Sequence, residues 1–184
     1  MSKIGTQYWY AVQTRSNFEK RIVAELTHKN LQPYCPMFQE LHQWADRKKL
    51  VERPVFPGYV FARFVDSAAT RLAIAKTAGT VRILGSGTSS DSALEPVSDK
   101  EIEGIRRLLE SGSPCEKYPY LHEGDIVRVK RGALKDLEGI LVRIKNDARL
   151  VLSLELLSQS VATEVDVNDV EVVKQRTKTA VMVA

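Results

Sequence analysis

Apolar and polar positions change rhythm along this chain, and each change marks an element. Residues 6–14 are aromatic and β-branched, with Tyr8, Trp9, Tyr10 and Val12, which is strand composition. Phe18, Ile22, Val23 and Leu26 then recur at helical spacing, and Ser16 with Glu19 has the form of a capping box. Asn30 is the expected stop. Residues 31–38, broken by Pro33 and Pro36, read as an edge strand. Residues 40–44 and 50–53 read as hairpin arms, with Asp46, Arg47, Lys48 and Lys49 at the tip. In Arg53-Pro54-Val55-Phe56-Pro57-Gly58-Tyr59-Val60-Phe61-Ala62-Arg63-Phe64, two prolines and a glycine kink an apolar run before it alternates as a strand from about Gly58.

Residues 67–76 fit a short helix with Leu72 and Ile74 inward, ended by Gly79 and followed by a strand over 80–84. The polar stretch 85–92 reads as a loop; its Gly-Ser-Gly lacks the strand–helix context of a dinucleotide fingerprint. Ser98 and Glu101 form a second capping box, opening a helix with the stripe Ile102, Ile105, Leu108 and Leu109. The first part is thus α+β, an antiparallel sheet flanked by helices over 1–110. Gly112, Pro114 and Pro119 make 111–120 a linker. From 121 to 184 the pattern is five short β runs, at 125–130, 139–145, 149–156, 161–165 and 170–173, before a C-terminal tail. Turns are expected at Gly132, Gly139 and Asn146-Asp147, which suits a small five-stranded β-barrel. The Leu-rich stretch 149–162 is also compatible with a helix.

Of 184 residues, 43% are apolar, enough for packed cores. No apolar run approaches the roughly 20 residues of a membrane helix, and Met1-Ser2-Lys3-Ile4-Gly5 lacks a signal-peptide core, so a cytoplasmic protein is expected. Cys35 and Cys115 stand apart and His28, His42 and His122 are scattered, which argues against a disulfide scaffold or a metal site. With no nucleophile–base pair and no phosphate loop, the chain is expected to be neither an enzyme nor a cofactor carrier. Residues 1–110 carry 16 Lys/Arg against 12 Asp/Glu, whereas residues 111–184 carry 11 of each. Attraction to an acidic partner therefore favours the first part. Candidate phosphate-contacting residues are Arg15, Lys20 and Arg21 at the first helix, and Arg47, Lys48 and Lys49 at the hairpin tip. The kink sets Phe56, Pro57 and Tyr59 at a sheet margin, where large rings call for a covering partner, while Phe61 is assigned to the core.

Several stretches together resemble the NusG family of transcription factors. Trp9-Tyr10-Ala11-Val12-Gln13-Thr14, Phe18-Glu19, Phe56-Pro57-Gly58-Tyr59-Val60 and the capped helix beginning Pro96-Val97-Ser98 resemble its N-terminal domain. Gly124, Asp125, Val127, Arg128, Val129, Gly132 and Gly139 resemble its KOW motif. The run from Arg149 to Ala162 is similar to specialised paralogs of the RfaH and UpxY types, whereas Asp136 departs from them and is similar to NusG itself. The resemblance implies an elongation or antitermination factor, a monomer with no membrane partner. Its N-terminal domain would dock on the clamp helices of the largest catalytic RNA polymerase subunit and hold the clamp closed, reducing pausing or termination. Phe56, Pro57, Gly58 and Tyr59, with Tyr8, Trp9 or Tyr10, would form the docking pocket. DNA of the transcription bubble or nascent RNA would be a further contact. The KOW barrel would recruit a ribosomal protein, Rho or RNA. The competing expectation is an RNA- or ribosome-binding KOW protein.

Overall fold

The aromatic run near the N-terminus becomes the middle of a sheet because both of its faces are apolar and both of its edges find partners. The computed structural model describes residues 5–43, 48–85, 93–118, 124–144 and 147–174. Two compact units divide at Glu103 and Gly104.

In the first unit, β1 (Gln7–Thr14) is followed by α1 (Glu19–His28), β2 (Gln32–Tyr34), β3 (Met37–Gln43), β4 (Lys48–Pro54) and β5 (Tyr59–Val65). Then come α2 (Ala68–Ala75), β6 (Thr80–Ile83), β7 (Pro96–Val97) and the start of α3 (Asp99–Glu110). The sheet runs β2-β5-β1-β6, with β7 also pairing β1, and every pairing is antiparallel. Strands β3 and β4 form a separate hairpin. Residues opposite each other across β1 and β5 share a face. Tyr10, Val12, Val60, Ala62 and Phe64 lie on one face and pack with Ile22 and Leu26 of α1 and Ile74 of α2. Trp9, Ala11 and Gln13 lie on the other, opposite Arg63, Phe61 and Tyr59. Pro33 sits on β2, the edge strand, where its missing N–H breaks no ladder.

Helix α1 ends as expected. Asn30 takes φ +57°, its N–H donates to the Thr27 carbonyl and that of Leu31 donates to Leu26, the paired bonds of a Schellman cap. Its start differs from expectation. Ser16 does not cap it; Phe18 occupies the N-cap position with no side-chain cap, and Asn17 is left-handed at φ +64°. Glu19 turns away to another partner, described below. The second capping box forms: the Ser98 N–H donates to Glu101 Oε2 at 3.0 Å and the Glu101 N–H to Ser98 Oγ at 3.2 Å. Leu72, expected inward with Ile74, is exposed. Two positions on a helix lie about 200° apart, so Ile74 alone can face the sheet.

The second unit contains the rest of α3, then β8 (Cys115–Tyr118), β9 (Asp125–Val129), β10 (Glu138–Ile144), β11 (Asp147–Leu154), β12 (Gln159–Val165) and β13 (Val170–Lys174). Among the described residues these form one antiparallel sheet in the order β13-β9-β10-β11-β12-β8. All five expected strands are present. The sixth, β8, comes from the stretch expected to be a linker: it pairs with β12, and Thr163 Oγ1 donates to the Pro114 carbonyl at 2.9 Å. Within this unit Gly104 approaches Leu137 closely, since a Cβ there would come within 3.2 Å of the Leu137 side chain. The Leu-rich stretch is a hairpin of β11 and β12, closed by a short 3₁₀ turn over Glu155–Leu157. Gly139, expected in a turn, lies inside β10, where a Cβ would be 2.8 Å from the Val151 carbonyl oxygen.

Candidate functional site

The kink before β5 is a hydrogen-bonded turn over residues 56–59. The Tyr59 N–H donates to the Phe56 carbonyl at 3.2 Å, Pro57 holds the second position and Gly58 the third at φ +80°. That is the pattern of a type II turn, which needs the positive φ glycine accepts at no steric cost. Two contacts grip Gly58. Its N–H donates to Glu19 Oε1 at 2.8 Å, and its carbonyl accepts from the Thr14 N–H at 2.8 Å. The turn is thereby tied to the end of β1 and the first residue of α1. Glu19 is buried, and its place in the first helical turn suits a negative charge. Sequence reading missed this role, because the spacing from Ser16 to Glu19 suggested a cap.

The expected docking residues are not one cluster. Phe56 is fully buried, its ring 5.9 Å from that of Phe61 and nearly perpendicular to it, an edge-to-face pair. Phe61 is core as expected. Phe56, expected at the surface of the kink, is core too. Pro57 is exposed and Tyr59 half-buried. Trp9 is 8% exposed and meets Tyr34 edge-on at 6.3 Å; Tyr10 is 4% exposed and packs on Phe64 at 4.6 Å. Burial pushes the Tyr10 hydroxyl above its ordinary pKa. Tyr8 is 50% exposed, but it shares the helix-covered face with Tyr10. It pairs with Phe64, five residues from Tyr59, so it lies about 17 Å along the strand from the turn. Pro57 and Tyr59, underpinned by Phe56 and Gly58, form one site. Tyr8 is separate from it.

Among the basic residues, Arg15, Lys20 and Arg21 are exposed at or just before the start of α1. Lys20 pairs with Glu52 of β4 at 2.8 Å, which lowers the Glu52 carboxyl pKa. The Arg21 guanidinium lies 5.9 Å over the Phe18 ring. Arg47 lies outside the described residues; Lys48 and Lys49 open β4. In the second unit, Val127 and Val129 are buried, Gly124 and Gly132 have positive φ, and Asp125 is exposed. Arg128 is held between Glu138, at 2.9 Å, and Glu171, at 3.7 Å, which raises its pKa. Arg131 pairs with Asp169. Asp136 adopts φ +65°, a conformation that glycine would take without penalty.

Cys35 and Cys115 are partly buried and free, and desolvation pushes the Cys35 thiol up to about 12 and raises that of Cys115. A thiol so raised is a poor nucleophile at neutral pH. Among the described residues no group of three His, Cys, Asp or Glu is placed to hold a metal ion, and no helix is long and apolar enough to cross a membrane.

Comparison with known proteins agrees with this architecture. A family model described as transcription termination factor nusG matches residues 7–106. The transcription termination/antitermination proteins NusG of Yersinia pestis and of Escherichia coli K12 are each 29% identical to this chain, covering 93% of it and 99% of their own lengths. A solved structure described as domain interaction in Thermotoga maritima NusG is 20% identical, covers 92% of this chain and 98% of its own, and superposes with a TM-score of 0.53. That likeness supports the fold, and the family match over more than half of the chain supports the kinship. The chain belongs to the NusG family of transcription termination and antitermination factors.

Proposed function

We propose that this protein binds RNA polymerase through the turn at 56–59 and acts during transcript elongation to reduce pausing or termination. The observation that carries the reading is the construction of that turn: a buried Phe56 and a clasped Gly58 hold Pro57 exposed and Tyr59 half-exposed. A rigid aromatic anchor loses little freedom on binding, and such anchors dominate interface energetics. The partner surface is the clamp helices of the largest catalytic subunit. Trp9, Tyr10 and Phe56 act from beneath, by shaping the sheet that supports the turn. Binding only the closed clamp shifts the clamp equilibrium toward closure by the difference in affinity for its two states.

Arg15, Lys20 and Arg21 are the basic residues suited to touch bubble DNA, Lys20 by exchanging its exposed pair with Glu52. The second unit recruits a further partner, a ribosomal protein or Rho. Pairing of Arg128 and Arg131 with carboxylates of the same unit weighs against the alternative of a dedicated RNA-binding barrel. The test is affinity of the full chain for RNA polymerase. Tyr59→Ala is expected to weaken binding by about 2 kcal/mol, roughly thirtyfold, with little loss of fold stability. Unchanged affinity for Tyr59→Ala and for the Pro57→Ala, Tyr59→Ala double variant would overturn the reading.

A further inference from the structure

We infer that Glu19 is a positioning residue for polymerase docking, fixing the 56–59 turn in the form that turns Pro57 and Tyr59 outward. This rests on the docking role proposed above for that turn.

Glycine at position 58 leaves the form of the turn undetermined. Type I and type II turns differ chiefly by a flip of the peptide between their two central residues. Here that peptide joins Pro57 to Gly58. Proline fixes φ at the first central position but not the ψ that distinguishes the two forms, and glycine adopts either sign of φ. The local sequence therefore permits both turns. The N–H that reverses direction in such a flip is that of Gly58, and this is the group bonded to Glu19 Oε1 at 2.8 Å. Flipping the peptide would break that bond and leave a buried carboxylate oxygen without its donor, which is costly.

The contact also spans the fold. Glu19 opens α1, 39 positions before Gly58, and the neighbouring Thr14 N–H holds the Gly58 carbonyl from the end of β1. The left-handed Asn17 reverses the chain between those two anchors. Room is not the issue at Gly58, because a Cβ there would meet nothing nearer than the Thr14 carbonyl oxygen at 3.7 Å. The turn needs glycine for its φ and Glu19 for its choice of state. Charge at Glu19 strengthens the bond but is not its requirement, because an amide oxygen at the same reach also accepts.

The experiment compares Glu19→Ala, Glu19→Gln and Tyr59→Ala in the full chain. It reads hydrogen exchange of the Gly58 amide by NMR alongside affinity for RNA polymerase. Loss of the bond in Glu19→Ala is expected to speed Gly58 exchange, and to weaken polymerase binding, each by about tenfold. Glu19→Gln is expected to restore most of both. Faster Gly58 exchange in Glu19→Ala with unchanged affinity, while Tyr59→Ala still weakens binding, would overturn the positioning role and leave the docking role standing. No effect on affinity of Tyr59→Ala, alone or combined with Pro57→Ala, would instead remove the docking role and the inference with it. If Glu19→Ala does not fold, Glu19→Asp, one methylene too short to reach, replaces it. Affinity lost in Asp and kept in Gln supports the inference; equal affinity in both despite unequal Gly58 protection overturns it.

Discussion

Two glycine-containing turns, 56–59 in the first unit and the connection from β9 to β10 in the second, are built from similar residue types. Each has a glycine at positive φ with charged residues close by. At Gly58 the charge is a buried carboxylate, and it grips the backbone. At Gly132 a Cβ would meet nothing within 4 Å, and the nearby charges pair with one another at the surface, Arg128 with Glu138 and Glu171, Arg131 with Asp169. Burial decides which kind of device a charge becomes. In water an ion pair contributes little, whereas a buried carboxylate must be satisfied and so constrains whatever satisfies it.

Phe56 is the costliest of these positions to truncate. Truncating this fully buried ring, Phe56→Ala, is expected to cost about 3–5 kcal/mol in chemical denaturation, because it removes core area and leaves a cavity. A loss below about 1 kcal/mol would mean that Phe56 is not core, and that the turn is not braced from beneath. In the second unit, Gly139→Ala is expected to cost about 1–3 kcal/mol, since its methyl group would collide with the Val151 carbonyl. Gly132→Ala meets open space but requires positive φ, so about 1 kcal/mol is expected, less than for Gly139→Ala. The reverse order would contradict the assignment of Gly139 to the strand.

Smaller effects sharpen the contrast between buried and exposed charge. Asp66 takes two bonds from Arg71, at 2.6 and 2.7 Å, which hold its carboxyl pKa below the ordinary value. A carboxyl pKa depressed by folding stabilises above its unfolded value, and the contribution fades as pH falls through the folded one. Asp66→Asn is therefore expected to lose under about 1 kcal/mol at neutral pH and almost nothing in strong acid, so that its stability profile is flatter on the acid side. Arg131→Ala, an exposed pair, is expected to change stability by no more than about 0.5 kcal/mol.

Much of this molecule is legible in its sequence. The strand composition of β1, the alternation in β5, the Asn30 stop, the Ser98–Glu101 box and the five barrel runs are local signals, and each forms. Long-range chemistry was hidden. Glu19 sits three residues after Ser16, the spacing of a cap, yet its partner lies 39 positions away. The segment 111–120 carries glycine and prolines, but β12 supplies a strand partner that composition could not reveal. The rings expected to dock could be named from the sequence but not assigned to a face: Tyr8 and Tyr10 alternate with Trp9, and only the pairing register shows that Tyr8 points away from the side of Tyr59. Phe56 and Tyr59 are both rings beside Pro57-Gly58, yet Phe56 is buried against Phe61 whereas Tyr59 is half-buried.

Docking through the 56–59 turn requires Tyr59 to face polymerase. Its most direct test replaces Tyr59 with a photoreactive phenylalanine analogue and maps the cross-link in the elongation complex, with the same probe at Arg131 as the comparison. A cross-link is expected from position 59 to the clamp helices of the largest catalytic subunit and none there from position 131. A clamp-helix cross-link from position 131 with none from position 59 would contradict it.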